Sequence, residues 1–312
     1  MTIMLITGAL LMIAAVGTLG VGLYVGHKLT RPPRKPVDMQ PEEYGLPHVE
    51  NVLFPSREED PLLLSGWYFS ASAHGSKEVG MTLIFAHGYS QNRQEPHLPA
   101  LSLAAKLVEA GFDVLMFDFR NAGKSGGNVT TVGYREKWDV LGAIDYAIQR
   151  SPDSQVGLIG FSMGAATALL AAAEEERVSA VVADSPFDSL RDYLAENMAR
   201  WTGLPHIPFT KMILLTIPWM IRADVDSVNP SAAVEQMGEC PILFIHGLAD
   251  PTIPHGNSLR LFEKACPEQR ELWLVSDAGH VRSYEKAPEE YTKRVIAFLG
   301  KQLQADKQSR SS

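Results

Sequence analysis

Apolar runs of the kind found in buried strands alternate with helical segments along residues 81–303. Such near-continuous runs suit parallel strands covered on both faces, and the alternation predicts right-handed strand–helix–strand crossovers. Two earlier runs predict an opening β-hairpin or meander. A chain of 312 residues is long enough to bury a large core, so we place one α/β domain at residues 49–303. The predicted strands are 50–55, 62–69, 81–86, 112–119, 156–161, 178–184, 241–247 and 271–277.

The alternation stops between residues 186 and 237, where no strand is predicted and two helical segments occur. An insertion of this length at a strand end is usually a functional lid. Its apolar run at 212–221 is too short to span a membrane. Three interpretations of this run stay open: it lines an acyl pocket, it touches a bilayer, or it packs on the sheet.

The N-terminus carries an uncharged apolar run at residues 2–26. Its 25 residues are enough to cross a hydrocarbon core of about 30 Å, so we predict a retained transmembrane helix. A cleavable signal peptide is one alternative, although the run lacks a basic start and a convincing cleavage site. A buried helix is the other. Gly22 and Gly26 form a G-x-x-x-G pair, a spacing that supports helix pairing.

Positive charges follow this run at Lys28, Arg31, Arg34 and Lys35. Because such charges favour the cytoplasmic side, we expect the N-terminus outside and the folded domain in the cytoplasm, tethered to the cell membrane by one span. Five prolines predict a stiff, exposed linker at residues 27–48. Residues 304–312 predict a polar tail. The net charge of −8 argues against nucleic acid as a partner.

A motif for nucleophilic catalysis lies at Gly160-Phe161-Ser162-Met163-Gly164, which matches G-x-S-x-G. It stands between a predicted strand and a predicted helix, the context in which this motif presents a serine on a tight turn. The glycines let neighbouring backbone approach closely. The N-terminal end of the following helix then faces developing negative charge. The pattern predicts Ser162 as a nucleophile.

A serine hydroxyl needs a base, and the base needs a carboxylate to orient it. His280 follows the last predicted strand, and Asp250 follows the penultimate one. This gives the chain order serine, acid, histidine that accompanies the motif. We therefore predict His280 as base and Asp250 as acid, with Asp184 as the fallback acid. His87 and His246 are expected to support loops.

Two backbone N–H groups are needed to stabilise an oxyanion. We assign them to Met163, directly after the nucleophile, and to Tyr89, in the loop after the strand at 81–86. Gly123-Lys124-Ser125 suggests a phosphate-binding loop but lacks its first glycine, and no metal motif occurs, so no cofactor and no metal are predicted. Cys240 and Cys266 are interpreted as free thiols, with a disulfide between them as the alternative.

Together, these motifs resemble the α/β-hydrolase superfamily, and within it bacterial membrane-anchored serine hydrolases of the serine aminopeptidase and acyl-esterase-like branches. The resemblance covers roughly residues 50–303. It implies an eight-stranded sheet whose first strands are antiparallel, a cap after the sixth strand, and hydrolysis through a serine acyl-enzyme. No triad position departs from the pattern. The segments that carry it are HGYSQNR (87–93), DFRNAGKSGG (118–127), GFSMG (160–164), DSPF (184–187), HGLADPTIP (246–254) and DAGH (277–280).

The expected function is that of a membrane-anchored serine hydrolase acting on an acyl ester, with a small-molecule or lipid-like substrate. An ester is favoured because the lid is apolar. A serine aminopeptidase is an alternative, because an acidic pocket would hold a free ammonium group. Thioester hydrolysis uses the same parts, and a catalytically silent binding protein is the alternative outside enzymes. The oligomeric state stays open. The lid acids that could form an acidic pocket are Asp188, Asp192, Glu196, Asp224 and Asp226.

Overall fold

A computed structural model describes the backbone of residues 1–311 and the side chains of residues 1–304. All eight predicted strands are present, and no end differs from its predicted position by more than two residues. The strands are β1 (Glu50–Pro55), β2 (Leu63–Phe69), β3 (Met81–Ala86), β4 (Asp113–Phe117), β5 (Gln155–Phe161), β6 (Val178–Asp184), β7 (Ile242–Gly247) and β8 (Arg270–Val275).

Helices fill the predicted intervals between the strands. The first continues to Thr30, four residues past the uncharged run. Apart from residue 304, the predicted polar tail at 304–312 lies outside the residues whose side chains are described. The α-helices are α1 (Thr2–Thr30), α2 (Ala100–Glu109), α3 (Glu136–Arg150), α4 (Met163–Ala172), α5 (Leu190–Thr202), α6 (Lys211–Ile221), α7 (Pro230–Gln236), α8 (Gly256–Lys264), α9 (Ser283–Lys286) and α10 (Pro288–Ser311).

The strands form one sheet in the order β1-β2-β4-β3-β5-β6-β7-β8. β2 pairs antiparallel with both β1 and β4, and every other neighbouring pair is parallel. The chain order reverses at β3, which lies between β4 and β5. Such a reversal point opens a crevice at the carboxyl ends of the strands, where α/β proteins bind ligands. A ligand-binding site is therefore expected at the carboxyl ends of β3 and β5.

Each face of the sheet carries its own apolar core. α3, α4 and part of α7 and α8 cover one face, where alanines of α4 such as Ala165 and Ala168 allow close approach to the strands. α2 and α10 cover the other face, with Tyr291 and Phe298 fully buried. Burial on both faces explains why the strands read as near-continuous apolar runs. Both cysteines are free, in agreement with prediction.

The helical lid after the sixth strand is confirmed. α5, α6 and α7 lie between β6 and β7, and α5 and α6 share a separate apolar cluster that includes Phe187, Leu194, Ile213 and Ile217. α6 packs along the C-terminal half of α1, whose Val25 and Leu29 join this cluster. The lid thus connects the sheet to the N-terminal helix.

The segment after α1 lies on the domain instead of extending as the exposed linker that its prolines predict. The Arg34 guanidinium donates to the carbonyl oxygens of Ser125 and Gly127, the latter at 2.5 Å. The Lys35 ammonium donates to Oε1 of Gln91 at 2.6 Å. These partners are distant in sequence, so local composition gives no sign of them.

Candidate active site

The turn between β5 and α4 holds Ser162 in a strained conformation, with φ 54° and ψ −117°. This is the left-handed region that residues with a side chain rarely adopt. A Cβ on Gly164 would overlap the carbonyl oxygen of Ala86, and one on Gly160 would lie 2.5 Å from Cα of Ala165. Both glycines of the motif are therefore required by close backbone packing.

The structure brings the three predicted side chains together. Nε2 of His280 lies 2.9 Å from Oγ of Ser162, and its Nδ1 lies 2.7 Å from Oδ2 of Asp250. The other carboxylate oxygen of Asp250 accepts the N–H groups of Thr252 and Ile253, at 2.7 and 2.9 Å. This chain of hydrogen bonds can move a proton from the serine hydroxyl to the imidazole.

Asp250 is held in its ionised form. Burial opposes ionisation, but hydrogen bonds from His246 and His280 outweigh it and keep the pKa of Asp250 well below its usual range. The carboxylate accepts the Nδ1 proton of His280, which leaves Nε2 free to accept the proton of Ser162. Asp184, the fallback acid, instead accepts the hydroxyl of Ser185 at 2.8 Å, and burial raises its pKa to about 6.

Tyr89 and Met163, the two residues predicted to supply the oxyanion amides, both border the cavity that contains Ser162. Met163 is the first residue of α4, so its N–H has no intrahelical acceptor. The N–H of Tyr89 donates to no acceptor among the described residues. The loop before it is fixed by Glu95, which is buried and accepts the N–H of Gly88 at 2.6 Å. Burial raises the pKa of Glu95 to about 7.

The other two strand-end histidines hold loops. Nε2 of His87 accepts the N–H of Phe119 at 3.0 Å, so Nδ1 donates to the carbonyl of Gly88 at 2.8 Å. Burial lowers the pKa of His87 to about 4, which keeps it neutral. His246 lies between the hydroxyl of Ser258 and the carbonyl of Ile253, at 2.7 and 2.8 Å. Neither imidazole contacts Ser162 in a hydrogen bond.

An apolar cavity of about 330 Å³ lies beside Ser162. Side chains of the lid line it, among them Phe187, Leu194 and Ile217, and the residues that border it carry no charged side chain. The apolar run at 212–221 therefore does line a pocket: it forms most of α6, and Ile217 and Ile221 face the cavity.

The lid acids do not border this cavity. Asp188 lies 2.5 Å from Arg260 in an ion pair, and Asp226 pairs with Arg191. Asp224 accepts the N–H of Asp226 at 3.0 Å in a local turn. These contacts are typical of acids that stabilise a surface, and they leave no acidic pocket beside Ser162 among the described residues.

Two parts of the site were missed by the sequence analysis. Glu95 belongs to none of the recognised motifs and resembles any other acid in a polar loop. Leu29 and Thr30, at the end of α1, border the cavity although they follow the predicted membrane segment. Only long-range packing places these residues at the site, so no local sequence pattern indicates their position there.

Comparisons with known proteins agree with this architecture. Residues 82–211 match the sequence family described as the alpha/beta hydrolase fold. The uncharacterized protein YqkD of Bacillus subtilis is 31% identical over 223 residues, 70% of each chain. The lysophosphatidylserine lipase ABHD12 of Mus musculus is 25% identical over 293 residues, 84% of this chain and 69% of the lipase. A solved structure of the Pyrococcus furiosus esterase Pf2001 is 30% identical with a TM-score of 0.71, and the match covers 88% of this chain and 98% of the esterase. The chain is a member of the α/β-hydrolase family.

Proposed function

We propose that the protein is a membrane-anchored serine hydrolase that cleaves acyl esters, with Ser162 as nucleophile, His280 as base and Asp250 as the acid that orients it. The observation that carries this proposal is the 2.9 Å contact between Ser162 and His280 at the wall of an uncharged apolar cavity. A hydroxyl beside an oriented neutral imidazole is an activated nucleophile.

The reaction follows from this geometry. Oγ of Ser162 attacks the ester carbonyl carbon while Nε2 of His280 takes the hydroxyl proton, and ionised Asp250 stabilises the imidazolium. The N–H groups of Met163 and Tyr89 stabilise the negative carbonyl oxygen. The intermediate collapses, and His280 returns the proton to the departing alcohol. Water then attacks the acyl-enzyme with His280 as base, which releases the carboxylic acid and restores Ser162.

An ester is a better substrate for this cavity than a peptide with a free amino terminus. An ammonium group needs a nearby carboxylate when water is excluded, and none of the described residues places one at the cavity. The named activities of the similar proteins, an esterase and a lipase, also favour ester cleavage. Thioester hydrolysis remains the second candidate, because the same apolar cavity and the same hydrogen-bonded side chains would serve it.

Membrane anchoring is the second part of the proposal. α1 is 29 residues long, with a mean hydropathy of 2.2 over its most apolar window, and so is long and apolar enough to span a bilayer. Its C-terminal turns are packed into the domain, with Gly22, Gly26 and Thr30 buried, which favours a retained helix over a cleaved signal peptide. The charges after α1 favour a cytoplasmic domain. A C-terminal green fluorescent protein fusion should therefore fluoresce. A fusion that is exported and does not fluoresce would indicate the opposite orientation.

The activity test uses full-length protein in detergent with p-nitrophenyl esters from acetate to palmitate and a fluorophosphonate probe. We expect hydrolysis and covalent labelling, both lost in Ser162→Ala and both retained in Ser276→Ala, a matched change on an exposed serine. Hydrolysis that survives Ser162→Ala would refute the assignment. Absence of both labelling and turnover in the natural protein would favour a silent binding protein.

A further inference from the structure

The end of α1 reaches the cavity that contains Ser162. Leu29 and Thr30 both border it. The carbonyl oxygen of Leu29 accepts the hydroxyl of Tyr89 at 2.7 Å, and the carbonyl oxygen of Thr30 accepts the N–H of Thr130 at 2.8 Å. Tyr89 and Thr130 also border the cavity, so two hydrogen bonds fix the helix end to the cavity wall.

Small residues allow α1 to approach α6 closely. A Cβ on Gly22 would lie 2.9 Å from Cγ of Met212, and a Cβ on Gly26 would lie 3.1 Å from Sδ of Met220 and 3.2 Å from Cγ1 of Ile217. Ile217 itself borders the cavity. The contact that joins the two helices therefore also sets the position of one cavity wall.

The outer face of α6 is apolar and exposed. Leu215 and Trp219 lie one helical turn apart and are 70% and 76% exposed, and Ile207, just before α6, is 69% exposed. α6 packs along α1, on which Leu19 and Tyr24 are 43% and 64% exposed. Contiguous apolar surface of this kind marks an interaction site. Because α1 is long enough to span a bilayer, the occupant that fits both helices is the lipid bilayer itself, with Trp219 at the interface.

We propose that α1 is part of the substrate-binding site: its last turn forms a wall of the acyl cavity, and the substrate is a single-chain amphiphile taken up from the bilayer. This inference rests on the proposed function, because it names the substrate class of the same Ser162 site. A cavity of about 330 Å³ is at the small end of ligand pockets, which fits one acyl chain. An acyl chain that moves from lipid into an apolar cavity bounded by a membrane helix need not cross water.

The test compares Gly26→Leu with Gly20→Leu in full-length protein reconstituted into phosphatidylcholine vesicles. Both changes add the same side chain to α1, but a Cβ on Gly20 meets nothing within 4 Å. Gly26→Leu pushes against Met220 and Ile217, and overpacking of this kind is costly. We expect the ratio of 1-monolauroylglycerol turnover in the vesicles to p-nitrophenyl acetate turnover to fall about tenfold in Gly26→Leu. Gly20→Leu should match the natural protein, and equal ratios in the two variants would overturn the proposal.

A second pair of variants, at Leu29, tests the proposal even if Gly26→Leu loses all activity. Leu29→Trp narrows the cavity and Leu29→Ala enlarges it, so the acyl-length optimum for p-nitrophenyl esters should move shorter and longer, respectively. An optimum that is unchanged in both variants would overturn the inference even though Ser162→Ala is inactive. Turnover in Ser162→Ala would instead refute the hydrolase assignment, so the two failures are distinguishable.

Discussion

At the scale of single residues, the pKa values of two buried carboxyl groups at the site are shifted in opposite directions. Asp250 accepts hydrogen bonds from two imidazoles and two backbone N–H groups, which together outweigh its burial. Glu95 accepts the N–H of Gly88, but its burial outweighs this hydrogen bond and raises its pKa. The first group supplies a negative charge to the imidazole. The second fixes the loop that carries the Tyr89 amide, and it titrates near neutral pH.

The charge of Asp250 is testable by an isosteric change. Asp250→Asn should lower kcat for p-nitrophenyl butyrate by about three to four orders of magnitude, because an amide neither stabilises the imidazolium nor selects the correct tautomer of His280. Asp277→Asn is the matched control, since Asp277 is exposed in the loop before His280 and has a φ of 55° that asparagine tolerates. Comparable losses in both variants would contradict the proposed role of Asp250.

The raised pKa of Glu95 predicts a pH-dependent stability. An unfolded glutamate titrates near 4.5, whereas Glu95 in the folded protein titrates near 7. Between these values the folded protein keeps a proton that the unfolded chain has lost, so this group makes the protein less stable as the pH rises, up to about pH 7. Glu95→Gln keeps an acceptor for Gly88 and has no proton to lose. Its free energy of unfolding relative to the natural protein should therefore rise between pH 4.5 and pH 8, by at most about 3 kcal/mol.

Urea unfolding in detergent at pH 4.5 and pH 8 measures this difference. Glu43→Gln is the control because Glu43 is exposed, and its relative free energy of unfolding should change little between the two pH values. If the two variants respond to pH alike, Glu95 is not the group responsible.

At the scale of elements, α6 divides between the cavity and the outside. Ile217 and Ile221 border the cavity, whereas Leu215 and Trp219 point away from it and are exposed. An amphipathic helix would place polar side chains on such an outer face in contact with water. The apolar outer face is therefore the part of α6 that our proposal places against lipid.

This reading predicts that Trp219→Glu weakens activity on lipid-borne substrate. A carboxylate on a face buried in the bilayer costs about 1–3 kcal/mol, depending on depth, so vesicle-borne 1-monolauroylglycerol should be hydrolysed roughly 5- to 150-fold more slowly. Leu53→Glu adds the same charge on edge strand β1, where Leu53 is 62% exposed, and should have little effect. Equal rates in the two variants would place the outer face of α6 in water.

Elements also show what the sequence can and cannot predict. The strands were located well because burial on both faces leaves an apolar run that stands out locally. The helix after β3 begins only at Ala100, since Pro99 disfavours helical backbone before it. The spacing of Gly22 and Gly26 indicated that this face of α1 packs closely on another helix. It could not identify α6 as that helix, because the spacing contains no information about the partner. Sequence motifs identified Ser162, Asp250 and His280, whereas Glu95 and Leu29 belong to no motif and were missed.

At the scale of the whole molecule, the N-terminal helix, the linker, the lid and the sheet form one connected structure around the cavity. The linker is central to this, because Arg34 binds carbonyl oxygens of the loop after β4 and Lys35 binds the loop after β3. Asn92, in the latter loop, also donates to the carbonyl of Pro36 at 2.8 Å. The linker thus joins α1 to the same loop that carries Tyr89.

Loss of the Arg34 contacts should therefore loosen the loop after β4 and lower the stability of the folded domain. In Arg34→Ala, three carbonyl oxygens lose a charged donor, those of Gly123, Ser125 and Gly127. Hydrogen bonds from charged groups contribute about 1.5–3 kcal/mol, and for partly exposed groups we expect the lower end, so Tm should fall by about 2–4 °C. Arg31→Ala removes the same charge three residues earlier in the chain, but the Arg31 side chain donates only to Thr30 among the described residues. Scanning calorimetry of both variants in detergent measures these effects. If the linker is held by specific contacts, Tm falls in Arg34→Ala alone. An unchanged Tm in both variants, or an equal fall in both, would contradict this role of Arg34.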